Sequence, residues 1–198
     1  MQDAKPPHDA KPPLDAKPPF SRLQRVDDVP ETGLDLKLVA SEAERARLAA
    51  IDGLEALSQL EADLHVDRRG KAGLRVTGEV RARLTQICVV SLEPFETQTR
   101  ETIDVVFAPQ AESEAAHARA AAEIAAALDK ASALAEQPDP PDPIIDGRVD
   151  LGALCAEFFA LSLDPYPRKP GAAFVEPAPA QPGDAPASPF EMLQKLKK

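Results

Sequence analysis

A chain of 198 residues with 43% hydrophobic residues is long enough to bury one globular core. Its formal charge of −10 comes from 33 acids against 23 lysines and arginines. That balance argues against a general phosphate-binding protein, because non-specific nucleic-acid affinity comes from clustered Lys and Arg. No apolar run approaches the ~20 residues of a membrane span, and no charged-then-apolar leader opens the chain, so a cytoplasmic location and no membrane partner are expected. The prolines number 21 and crowd into residues 6–19, 138–143 and 165–189. The remainder reads as one compact domain of roughly 130 residues.

Residues 3–20 hold three copies of a hexad, Asp-Ala-Lys-Pro-Pro followed by His8, Leu14 or Phe20. Proline fixes its own φ, lacks an amide donor, and pushes the preceding residue to extended geometry. Residues 1–19 are therefore read as a disordered spacer, partly polyproline II. The folded domain is expected over 20–170. A first strand is expected over Phe20–Val26, and Leu34–Val39 alternates cleanly as a second. Ser41 with Glu44 makes a capping box, opening a helix that runs to Ile51 and stops at Gly53.

Leu57–Arg68 is a third strand, with Leu60, Ala62, Leu64 and Val66 on one face and His65 on the wet face. Arg69–Gly73 turns the chain. Leu74–Val90 is a long fourth strand in which Gly78 suggests a bulge. Its even row carries Val76, Val80, Ala82, Leu84, Cys88 and Val90. A turn through Glu93-Pro94 leads into a fifth strand, Glu96–Phe107, with Ile103, Val105 and Phe107 on one face. Short connections between successive strands imply an antiparallel meander.

After Pro109 the composition shifts. Glu112–Glu136 is alanine-rich and read as a helix with a thin apolar face, and an acidic proline linker follows. The stretch 111–143 thus reads as an insertion. Asp150 can cap a core helix over Asp150–Leu161, with Leu151, Leu154, Cys155 and Phe158 recurring at helical spacing. Residues 171–198 read as a Pro/Ala-rich tail. It ends in a short amphipathic segment with Phe190, Leu193 and Leu196 on one side, a candidate partner-binding element. The fold class expected is α+β: about five antiparallel strands packed by a C-terminal core helix, with disordered Pro-rich tails.

Two cysteines without a leader peptide rarely form a structural disulfide, and both Cys88 and Cys155 lie on apolar faces. They read as buried small hydrophobes, and the histidines show no metal-ligand spacing with them. Cys88, Gly147, Leu151 and Phe158 are taken as structural residues. There is no glycine-rich phosphate loop, no G-x-S-x-G elbow and no H-E-x-x-H, so no catalytic residue, metal or cofactor is assigned. Aromatic residues make up 4%, too few for a base-stacking row. Against the acidic total, Arg68, Arg69, Lys71, Arg75, Arg81 and Arg83 crowd one hairpin. They form either a basic face for RNA or simply a solvated one.

The stretch V-T-G-E-V-R-A-R-L-T-Q-I-C-V-V-S-L-E-P-F from Val76 to Phe95 resembles the YceD family of large-ribosomal-RNA-subunit accumulation proteins. So do I-I-D-G-R-V-D-L-G-A-L from Ile144 and the terminal S-P-F-E-M-L-Q-K-L-K-K. The resemblance covers roughly residues 20–198. Many members carry C-x-x-C at the turn; here Cys88 is followed by Ser91 in the second position. The resemblance implies a non-catalytic role in ribosome biogenesis, with ribosomal RNA or large-subunit assembly proteins as partners. Two other readings stay open: a protein-interaction scaffold without RNA contact, and an enzyme using Cys88 as nucleophile.

Overall fold

The computed structural model describes residues 18–70, 72–129 and 139–174. The hexad repeats before residue 18, the part of the expected alanine-rich helix beyond residue 129 and the C-terminal segment with Phe190, Leu193 and Leu196 lie outside these, as does Lys71. In chain order the elements are β1 (Leu23–Arg25), a 3-10 turn (Val26–Asp28), β2 (Leu34–Val39), α1 (Glu42–Ile51), β3 (Ala56–Arg69), β4 (Gly73–Ile87) and β5 (Pro94–Pro109). They continue as α2 (Gln110–Asp129), β6 (Asp142–Ile144), β7 (Arg148–Asp150) and α3 (Leu151–Leu161).

The class is α+β, with a five-stranded sheet in the order β2-β3-β4-β5-β6 and a separate β1-β7 pair. The sheet is mixed, which corrects the expected all-antiparallel meander. β6 joins β5 in parallel at Phe107–Pro109, after α2 has carried the chain across. The count of five strands held, but the membership did not. The segment expected as the first strand of the meander leaves the main sheet, and its Leu23–Arg25 pairs with Arg148–Asp150.

One face of the sheet is dry. Leu60, Ala62, Leu64 and Val66 of β3 and Val76, Val80, Ala82 and Leu84 of β4 are all buried, as period-two alternation requires. Leu48 and Ala49 of α1 and Leu151, Leu154, Cys155 and Phe159 of α3 close over that face, with Phe20 from the entering chain. The large anchor of α3 is Phe159, with no exposed surface, while the expected Phe158 is only half-buried. Both phenylalanines lie four residues past an apolar position, and it is the second that enters the core where α3 packs on β4 and β5.

Gly78 marks no bulge, since β4 keeps unbroken register with β3 and β5 there and the one shift lies between Leu57 and Gln59. Its glycine is required for another reason. At φ 152°, a Cβ at this position would sit 2.1 Å from the carbonyl oxygen of Asp63.

The helix ends follow the local chemistry. Ser41 accepts the Glu44 amide while the Glu44 carboxylate accepts the Ser41 amide, the reciprocal pair expected. Asp150 accepts from the amides of Gly152 and Ala153 at 3.1 Å, starting α3. Gly147, at φ 68°, turns the chain between β6 and β7, and its carbonyl accepts the Val26 amide at 3.0 Å.

Candidate functional site

The sheet face opposite the core carries the side chains of the odd rows of β3 and β4 and the even row of β5. β2 contributes Asp35 and Lys37; β3 contributes Glu61, Asp63, His65, Asp67 and Arg69. β4 contributes Arg75, Glu79, Arg81 and Arg83; β5 contributes Glu96, Arg100 and Asp104. Seven carboxylates thus face six fixed cations, so the face is nearly neutral and not an electropositive plate.

The arginines singled out from sequence divide into three kinds. Arg75, Arg81 and Arg83 do share one row of β4. Arg75 donates to both carboxylate oxygens of Asp104, at 2.8 Å each. Arg81 sits among acids, paired with Asp63, with Glu79 at 3.2 Å and with Glu61 at 3.6 Å. These side-chain bonds, to Asp104 and to Asp63 respectively, hold both guanidinium pKa values above their ordinary value. Arg68 turns off the face altogether. Its guanidinium donates to the carbonyls of Val29, Val26 and Asp27 at 2.7, 3.1 and 3.3 Å, gripping the loop after β1. Arg69 and Arg83 are exposed and make no ion pair among the described residues.

His65 lies between two carboxylates, with Nδ1 at 2.6 Å from Asp35 and Nε2 at 3.0 Å from Asp67. The bond to Asp35, and then that to Asp67, raises its pKa above the ordinary 6.5. Sequence had placed His65 on the wet face. Its two acidic neighbours come from β2 and from two residues onward in β3, and the first of these needed the strand register.

The second feature is the turn at the far end of the β4–β5 hairpin. Cys88 has no exposed surface, yet it is not part of the main core cluster. Its sulfur accepts from the backbone amides of Val90 and Ser91 at 3.4 Å and of Lys169 at 3.3 Å. The Ser91 hydroxyl foremost, then the Ser91 and Lys169 amides, pull the thiol down to about 6. The strap through Lys169 is fixed twice more: the Val89 amide donates to the Pro167 carbonyl at 2.9 Å, and Lys169 Nζ meets Glu93 at 2.8 Å. Leu92, at φ 57° and largely exposed, closes the turn. Cys155 is the opposite case, a thiol in the core whose burial pushes it up to about 12. Among the described residues no group of three or more His, Cys, Asp and Glu side chains is arranged to hold a metal.

The Cys88 turn, β5 and α3 all fall in the region that matches a known family, while β3 and the turn after it precede that region. Residues 76–197 match the family described as large ribosomal RNA subunit accumulation protein YceD. The chain belongs to the YceD family. The YceD match begins inside β4 and runs past the last described residue, Phe174, through the amphipathic C-terminal segment. Neither a curated protein nor a solved structure matches the chain. Among the described residues, no helix is long and apolar enough to cross a membrane.

Proposed function

We propose that this protein supports the accumulation of large-subunit ribosomal RNA as a non-catalytic assembly factor in the cytoplasm. The observation that carries the reading is membership of the YceD family over residues 76–197. The partners of Cys88 favour binding over turnover. The Cys88 sulfur has no exposed surface and is enclosed by the amides of Val90, Ser91 and Lys169, so a substrate has no open approach to it.

For direct RNA contact, Arg69 and Arg83 are the hairpin arginines with no ion pair among the described residues, Arg69 opposite Gly73 at the turn and Arg83 opposite Gln59 far along β4. Arg75 and Arg81 would have to exchange a carboxylate for a phosphate, and Arg68 serves the loop. The near-neutral face favours a second reading, in which assembly proteins are the partners and the segment bearing Phe190, Leu193 and Leu196 is the docking element. The family match extending to residue 197 supports that role for the tail.

Complementation tests both. In a strain lacking the protein, the full chain is expected to restore large-subunit ribosomal RNA levels, and failure to do so overturns the proposal. Arg69→Glu with Arg83→Glu is expected to abolish rescue if RNA is touched, and Leu193→Asp with Leu196→Asp if the tail docks on protein. Crosslinking of the rescuing protein to RNA in cells separates the two readings. A salt dependence of that association that flattens by about one slope unit per lost arginine identifies phosphate contact.

A further inference from the structure

β5 is a long strand with an open side. It pairs with β4 along Pro94–Phe107, while β6 covers only Phe107–Pro109. Among the described residues, no strand pairs with the other edge of Pro94–Val106. Ala108, an even-numbered residue, turns its backbone toward Pro143 of β6, so the even-numbered residues present their backbone groups on this edge. The Thr102 amide bears this out, its side-chain partner being the neighbouring Glu101 carboxylate at 3.3 Å.

Three of the usual devices that blunt an edge, a bulge, an interior proline and lysine, are missing, and the charges on its outward row, Glu96, Arg100 and Asp104, alternate in sign. The register is unbroken, no proline falls between 95 and 108, and no lysine lies on the strand. The sheet's other edge, β2, is only six residues long, and the Val39 carbonyl at its end is met by Arg22 at 3.3 Å.

We propose that this edge of β5 pairs with the same edge of a second copy of the chain, antiparallel about a two-fold axis at Gln98. That axis sets Gln98 opposite itself, Thr97 opposite Thr99, and Glu96 opposite Arg100 on both sides. Glu96 and Arg100 belong to the same, solvent-facing row, so each carboxylate meets the partner's guanidinium directly. Glu96 has no ion pair among the described residues, and Arg100 has only a loose one, with Glu79 at 3.4 Å. Two other registers centred on outward residues are worse. An axis at Arg100 opposes two arginines. An axis at Thr102 sets Arg100 against Asp104, which Arg75 already occupies, and carries the partner toward β6. The isologous pairing joins two five-stranded sheets into one continuous sheet.

Sedimentation of the full chain across a concentration series tests this. The wild type is expected to show a reversible monomer–dimer equilibrium. Arg100→Glu and Glu96→Arg are each expected to weaken it about tenfold or more, and the double charge swap to restore it. Gln98→Pro removes an outward amide and no bond to β4, so it is expected to abolish the dimer while the thermal melt stays cooperative. A chain that stays monomeric throughout overturns the proposal. So does a dimer indifferent to Arg100→Glu and Glu96→Arg, since its interface would lie elsewhere.

Discussion

Asp150 holds Arg22 across 128 residues of sequence: its Oδ1 accepts the Arg22 amide at 2.7 Å while also accepting the first amides of α3. Its Oδ2 accepts the Ser21 hydroxyl at 2.6 Å, and the Arg22 carbonyl accepts the Leu151 amide at 2.9 Å. The helix cap and the clasp on the entering chain are therefore one carboxylate. Asp150→Ala is expected to cost about 2–4 kcal/mol, more than an isolated N-cap, because both functions fail together. Chemical denaturation of the variant checks the size. A loss below about 1 kcal/mol would reduce Asp150 to an ordinary cap.

The two adjacent phenylalanines of α3 should behave differently. Phe159→Ala empties a fully buried site and is expected to cost roughly 3–5 kcal/mol. Phe158→Ala is expected to cost about 1–2 kcal/mol, since that ring is only half-buried. Equal losses in thermal melts would mean α3 is rotated from the orientation described.

The arginines of the hairpin separate by the same measurement. Arg68→Ala abandons three carbonyls at the loop after β1 and is expected to lose about 2–3 kcal/mol. Arg83→Ala, with no ion pair to lose, should stay within about 0.5 kcal/mol of the parent. A functional defect in the first variant would therefore report on folding, and in the second on contact. Comparable melting temperatures for the two would refute that division.

Cys88 and His65 make stability depend on pH in opposite senses. The Cys88 thiol titrates near 6 in the fold, below its ordinary value, so its contribution is full above the unfolded pKa of about 8.5 and disappears as pH falls through 6. His65 is shifted upward by Asp35 and Asp67, so its contribution is full below about 6.5 and fades as pH rises through the higher folded value. Cys88→Ala is expected to remove the gain in melting temperature between pH 6 and about 8.5, and His65→Gln the loss that begins above about 6.5. A Cys88→Ala profile parallel to the wild type would show that the thiolate is not stabilised by the Ser91 hydroxyl and the three amides.

Much of the sheet was readable because its signal is local. Val76, Val80, Ala82 and Leu84 alternate with charged residues, and Ser41 and Asp150 announce their helices by chemistry that spans only three residues. β6 was not readable. It has three residues, one of them Pro143, and no alternation. Its place beside β5 depends on where α2 delivers the chain. The row of Arg75, Arg81 and Arg83 was readable, but its neutralisation was not. Asp63, Glu61 and Asp104 become neighbours only through the registers of β3 and β5 against β4. Phe159 displaced Phe158 for a related reason, as helical spacing names a stripe of residues and tertiary packing chooses within it.

Residues preceding the family match supply β2, β3, α1 and the segment that Asp150 clasps, so similarity and mechanical integrity have different borders in this protein. A fragment cut at Val76 would begin inside β4, three residues past its start. Such a fragment would bare the β4 edge against which β3 lies from Ala56 to Arg69. What the fold requires before Val76 is an alternating apolar row against β4 and a chain segment that closes on Asp150. A stretch that similarity leaves unmarked can thus be indispensable to the part that similarity detects.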